Sequence, residues 1–279
     1  MTTSTMSTPG EPPRHLTAAL AQAAHHWDRQ IVGQPIVGWR GRTAGVAVED
    51  QRGGQEWLRV VVARPELARG DWWNGNTDAM ALVGVSHPMI LAWHEWSEGA
   101  ERVRGELMEI LPGRVCSATP ELRHGLALGS RWWSDLDENL ALLARHRTRR
   151  ESTTASSISH RSHVLFGRRV DFSGVGWSTA HGDLHWANLF APEFALLDWE
   201  AWGSAPDGSD IAGLYLHSLL IPDVAATILD RFPDVFASTS GRVGLVFHAS
   251  RMLARAMAGD YPDLIDPIHE AVRRFAPHD

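Results

Sequence analysis

Between positions 16 and 30 the apolar residues Leu16, Leu20, Ala23, Ala24 and Trp27 recur at helical spacing, which predicts an amphipathic helix. From position 35 to 64 the period changes. Ile36-Val37-Gly38-Trp39, Val46-Ala47-Val48 and Trp57-Leu58-Arg59-Val60-Val61-Val62 are short β-type runs separated by glycines, among them Gly41, Gly45, Gly53 and Gly54. They predict a three-stranded antiparallel meander with tight turns. Residues 71–85 read as a helix, interrupted in pattern by Gly75. Residues 89–93 and 106–111 read as two further strands, the second ended by Pro112-Gly113. After Cys116 a helical period dominates, over 128–146 (Trp132, Leu136, Leu140, Leu143) and 154–166. A strand–loop–strand segment follows at 177–199, then helices over 210–220, 223–231, 241–257 and 264–275. The pattern predicts an α+β, two-lobed chain with a boundary near 111–118. A tail occupies 1–13, a small β-rich lobe 14–111, and a larger, mainly helical lobe 112–279.

Composition changes this picture little. Of 279 residues, 44% are hydrophobic and 21% charged, the range of a soluble globular protein. No run of eighteen apolar residues occurs, so no transmembrane helix is expected. The first 13 residues, rich in Ser, Thr and Pro, read as a disordered tail rather than a signal or anchor. Cys116 is the only cysteine. It excludes an intramolecular disulfide and a cysteine metal cluster, and a cytoplasmic location is expected. All 26 basic residues are arginine, so a lysine Schiff base is excluded and any phosphate-holding base is an arginine.

Charge is uneven. Residues 1–180 hold 20 Arg and 19 acidic residues, whereas 181–279 hold 6 and 14. Two readings stand side by side: a solvated acidic surface, or a pocket for a cationic substrate. No basic stripe is present, which disfavours nucleic acid as a partner.

The chemistry concentrates in His181-Gly182-Asp183-Leu184-His185-Trp186-Ala187-Asn188, followed by Leu197-Asp198-Trp199-Glu200. The five-residue step from Asp183 to Asn188 is that of a kinase catalytic loop, where a catalytic Asp precedes a metal-binding Asn. Residues 189–191 and 194–197 can pair as a hairpin around Pro192-Glu193, which would return Asp198 to the neighbourhood of Asn188. A carboxylate and an amide carbonyl are hard oxygen ligands suited to Mg²⁺. Phosphoryl transfer asks for this set: alignment, a proton acceptor and divalent cations.

At these residues the chain resembles the aminoglycoside phosphotransferase/choline kinase family, whose motifs are His-Gly-Asp-Leu-His-x-x-Asn and a downstream Asp-Trp-Glu. The resemblance implies a bilobal, protein-kinase-like fold and transfer of the γ-phosphoryl group of ATP or GTP to the hydroxyl of a small molecule, an aminoglycoside or other antibiotic among the candidates. It implies Asp183 as catalytic base, Asn188 and Asp198 as Mg²⁺ ligands, and His181 as a support for the loop. In the first lobe it implies Arg59 on the third strand as the phosphate contact and Thr43 and Gly45 within a phosphate-covering loop. Glu109 and Ile110 would form a hinge that meets the purine, and Asp78 would be the helix carboxylate paired with Arg59.

Plainer readings accompany these. Asp210 is sufficiently explained as a helix N-cap. His217 and His248 read as core or surface residues, and the role of His185 stays open. A second reading of the whole is a pseudokinase, a nucleotide-binding subunit acting with a partner enzyme, because the first lobe has no Lys and a poor glycine loop. A protein kinase is disfavoured by Gly182 and His185 in the catalytic loop and by the lack of an Ala-Pro-Glu motif after Asp198.

Overall fold

A computed structural model describes residues 13–38 and 41–276. Residues 1–12 of the tail expected over 1–13, and Trp39 of the first expected strand, lie outside the described residues. The chain divides into two compact units, one of residues 1–73 and 88–111, the other of residues 74–87 and 112–279. The stretch 74–87 groups with the second unit because Ala79, Leu82 and Val85 are buried in that unit's core.

The elements of the first unit are α1 (Arg14–His26), β1 (Gln30–Ile31), β2 (Ile36–Val37), β3 (Thr43–Glu49) and β4 (Gln55–Ala63). The helix α2 (Asp71–Asp78) runs out of this unit, which resumes with β5 (Ile90–Glu98) and β6 (Glu101–Glu109). The strands form one antiparallel sheet in the order β1-β3-β4-β6-β5, with β2 also on β3. Period-two alternation decides its faces. Ala44, Val46, Val48, Leu58, Val60 and Val62 are buried in one cluster with Leu16, Ala19, Leu20, Ala23 and Ala24 of α1. The opposite parity of β4 carries Trp57, Arg59 and Val61, and Val61 packs with Trp73.

A chain of ion pairs crosses this sheet. Arg104, 1% exposed, reaches Glu95 Oε1 at 2.6 Å and Glu106 Oε1 at 3.0 Å, and Arg59 reaches Glu106 Oε2 at 3.0 Å. Trp73 Nε1 donates to Glu95 Oε1 at 2.8 Å. Charges this deep persist only when each has partners of opposite sign.

The helix expected over 71–85 stops at Asp78 and continues as one 3-10 turn, Ala79–Ala81. Leu82 and Val85 lie beyond this turn in non-helical backbone, yet both are buried with Ala79 in the core of the second unit.

The second unit continues with β7 (Arg114–Val115), α3 (Ser130–Arg145), α4 (Ala155–Phe166), β8 (Trp177–Ala180), β9 (Leu189–Ala191), β10 (Ala195–Leu196) and β11 (Gly203–Pro206). It ends with α5 (Ser209–Leu216), α6 (Pro222–Arg231), the short α7 (Pro233–Ala237), α8 (Thr239–Met257) and α9 (Ile265–Phe275). Thr154 caps α4, its side chain accepting from Ser157 N at 3.1 Å. The core joins Trp132, Trp133 and Leu136 of α3 to Trp186, Trp199, Ile211, Leu214, Leu245 and Leu253. Two indoles also hold polar ends in place. Trp132 Nε1 donates to Phe190 O at 2.7 Å, and Trp186 Nε1 donates to Ser218 Oγ at 2.9 Å. The 181–190 loop is therefore anchored from α3 and from the end of α5. Among the described residues, no helix is long and apolar enough to cross a membrane.

Candidate active site

The loop that follows β8 turns sharply at Gly182, whose φ is +79°. A Cβ there would run into Ser152 Oγ and Ala201 O, so both the backbone conformation and the space require glycine. The turn is clamped from α5. Asp210 Oδ2 accepts from His181 N at 2.7 Å and Oδ1 accepts from Gly182 N at 2.9 Å. The N-cap position of α5 is Gly208, so Asp210 is structural, but as a clamp on the Asp183 loop and not as the expected cap. Burial raises its carboxyl above the usual carboxylate range, with His181 and the two amide bonds pulling the other way. Asp210→Ala would leave two buried amides without their acceptor. A loss of about 2–5 kcal/mol is expected, read as a lower denaturation midpoint with unchanged slope.

His181 is fully buried. Its Nε2 lies 3.0 Å from Leu197 O; a carbonyl only accepts, so Nε2 carries the proton. Burial pushes its pKa down, and a neutral ring with one N–H fits that bond. His181 thus ties the Asp183 loop to the residue preceding Asp198. The hairpin completes the approach, with Phe190 opposite Ala195, Leu189 opposite Leu196, and Leu197 N donating to Asn188 O at 2.9 Å. Asp198 follows directly in a left-handed conformation, φ 64° and ψ 72°. A non-glycine residue held there is strained, which is common where a side chain must be aimed.

Asn188 is buried. Its Nδ2 donates to Asp183 O at 3.0 Å and lies 3.3 Å from His185 Nε2. These two contacts take both amide hydrogens, so Oδ1 is the atom the side chain has left to offer. A hard cation needs an oxygen of this kind, and in that respect the residues present fit Mg²⁺. His185 Nε2 accepts in that contact, and burial brings its pKa down to about 4. Its ring is neutral at pH 7.

Asp183 is partly exposed. Arg251 of α8 pairs with it, NH2 to Oδ1 at 3.0 Å, while NH1 donates to Gly182 O at 2.6 Å. Burial alone would raise the Asp183 carboxyl. Arg251 outweighs it and holds the group well below the usual carboxylate range. Around this pair lie His217, its ring 5.5 Å from that of His185, and Tyr261, 6.2 Å from His217. His248 is buried and acts electrostatically on the same set. Burial lowers the pKa of His217 well below normal and that of His248 to about 3. The arrangement offers a carboxylate in a fixed position, an amide oxygen and a second carboxylate near it, and a guanidinium paired with the first carboxylate. Arg251 carried no motif that sequence reading could use. Its signal is the spacing His248, Arg251, Arg255, a polar stripe along a helix that is otherwise largely buried.

The sequence-based candidates of the first unit lie on its sheet. Thr43 opens β3 and Gly45 pairs with Arg59. A Cβ at Gly45 would meet the Trp57 indole at 2.6 Å, so this glycine makes room for a tryptophan across the sheet. Arg59 is held by Glu106 of β6. Asp78, expected to pair with Arg59, is bound by Arg150 at 2.5 Å. Glu109 ends β6 and its N–H donates to Met89 O at 3.0 Å; Ile110 follows, 39% exposed.

The sequence matches no protein-family model, and no curated protein is significantly similar to it. Solved structures are similar in fold. The aminoglycoside phosphotransferase APH(4)-Ia, as a thermostable mutant in a ternary complex with AMP-PNP and hygromycin B, superposes with a TM-score of 0.62 at 13% identity, over 90% of this chain and 95% of that one. The amicoumacin kinase hAmiN, in complex with AMP-PNP, Ca²⁺ and Ami, gives 0.58 at 12% identity over 94% of each chain. The macrolide 2'-phosphotransferase MphH from Brachybacterium faecium gives 0.55 at 16% identity over 95% and 99%. The chain has the α+β, protein-kinase-like fold of these small-molecule kinases.

Proposed function

We propose that this chain is a small-molecule O-phosphotransferase that moves the γ-phosphoryl group of ATP or GTP to a hydroxyl. The observation that carries the reading is the Asp183 loop. It is clamped by Asp210, tied through His181 to Leu197, and joined through Asn188 to the hairpin that delivers Asp198. In the reaction the acceptor oxygen bonds to the γ-phosphorus as the bond to the β,γ-bridging oxygen breaks. Asp183 orients the acceptor hydroxyl and receives its proton. Asn188 and Asp198 are the residues that would hold Mg²⁺, which supplies charge neutralisation on the phosphates. In the first unit, Arg59 would meet the phosphates, Thr43 and Gly45 would cover them, and the backbone of Glu109 and Ile110 would meet the purine. The similarity to antibiotic kinases in fold supports a small hydroxylated acceptor, with an antibiotic as one class.

The test is Mg²⁺-dependent nucleotide turnover by the purified protein in the presence of hydroxylated small molecules. Turnover that needs both the metal and an acceptor is expected.

A second reading is favoured by one observation. Gly45 is spent on Trp57 and Arg59 on Glu106, so the phosphate-facing parts of the first unit are adapted to its own packing. On this reading the chain is a nucleotide-binding subunit of a partner enzyme. Tight nucleotide binding without metal dependence and without turnover would select it.

A further inference from the structure

The acidic excess of residues 181–279 is not gathered at Asp183. Asp223, Asp230, Asp234, Asp263, Asp266 and Glu270 are exposed. Of the carboxylates near Asp183, Asp183 itself pairs with Arg251 at 3.0 Å and Asp260 with Arg255 at 3.1 Å, Asp210 accepts from the His181 and Gly182 amides, and Asp198 is the residue read as a metal ligand. The rings that complete the cluster are His185, His217 and His248, all buried, and Tyr261, 1% exposed. An ammonium group approaching Asp183 would compete with the guanidinium already on that carboxylate.

Arg251 is different. It is 30% exposed, and it grips the carboxylate that an acceptor hydroxyl has to reach. A guanidinium fork can serve two oxygen anions at once, and carboxylate and phosphate groups suit it in geometry as well as charge. Any substituent next to the reacting hydroxyl comes within its range. An ammonium there would meet a like charge and find the negative charge of Asp183 already matched.

We propose that the acceptor carries a carboxylate or phosphate, not an ammonium, beside its reacting hydroxyl, and that Arg251 receives it. This rests on the phosphotransferase reading and makes Arg251 the specificity-determining residue of that site. It replaces the cationic pocket suggested by sequence charge with an anion-selecting one.

The experiment uses acceptors matched in skeleton and differing in charge: gluconate, glucitol and glucamine; glucuronate, glucose and glucosamine; and hygromycin B as a polycation. Phosphate incorporation with Mg·ATP and Mg·GTP is followed by mass spectrometry, with nucleotide affinity measured separately by calorimetry. The anionic member of each set is expected to have a kcat/KM about tenfold to a hundredfold above its neutral counterpart, the amino member the lowest. The preference should weaken as salt is raised. Arg251→Gln should erase the order of preference while nucleotide affinity is kept, and Arg251→Lys should retain part of it. A merely structural Arg251 would lower all acceptors alike. Best turnover with the ammonium compounds, an order unchanged in Arg251→Gln, or no phosphorylation of any anionic member would overturn the proposal. Failure to bind nucleotide at all would instead overturn the phosphotransferase reading on which it rests.

Discussion

Asp183→Asn is expected to lower turnover by about 10²–10⁴-fold while nucleotide affinity stays near that of the wild type. The substitution keeps the size and shape of the side chain. It removes the charge that Arg251 pairs with, and with it the acceptor for the hydroxyl proton. The loop itself should hold. Its backbone is clamped by Asp210, Arg251 NH1 stays on Gly182 O, and Asn188 bonds the backbone carbonyl of residue 183, which the substitution leaves in place. A loss confined to kcat, seen in steady-state kinetics beside calorimetric nucleotide titration, is the pattern of an interaction made in the transition state. Near-normal turnover would remove Asp183 from the base role.

Asp198→Asn should cost metal-dependent nucleotide binding and about 10²-fold or more in turnover, since a divalent cation contributes several kcal/mol of transition-state charge stabilisation. Asn is the informative replacement because it tolerates the left-handed backbone at this position. Ala would add backbone strain to the loss of the ligand and confuse the two. The check is nucleotide affinity titrated against Mg²⁺ concentration in wild type and variant. A variant with the same Mg²⁺ dependence as wild type would take Asp198 out of the metal site.

The parts of the site that were legible in the sequence are those that are local in it. Asp183, His185 and Asn188 lie within six positions, and the hairpin around Pro192-Glu193 was readable from two apolar runs; β9 and β10 pair there. What binds that segment from elsewhere left no local trace. Asp210 looked like a cap because acidic residues near a helix start usually are, yet it spends both oxygens on residues 181 and 182. His217 and His248 read in the sequence as core or surface residues; both are buried, within the cluster around Asp183. Arg251 lies 68 positions from its partner. In the first unit the strand alternation predicted the meander, but not that Glu106, rather than a helix carboxylate, would hold Arg59. Cross-strand partners depend on register, which a single sequence does not display. The helix predicted over 71–85 exceeds the observed one because apolar spacing alone does not separate an α-helix from a short turn whose residues are claimed by a neighbouring core.

The most direct test of the account is transfer of a labelled γ-phosphoryl group from ATP or GTP, with Mg²⁺, to a panel of hydroxylated small molecules by wild type beside Asp183→Asn. The account predicts a phosphorylated product formed by the wild type and lost in the variant. Nucleotide binding with no labelled product from either protein would contradict it, and would leave a nucleotide-binding subunit in its place.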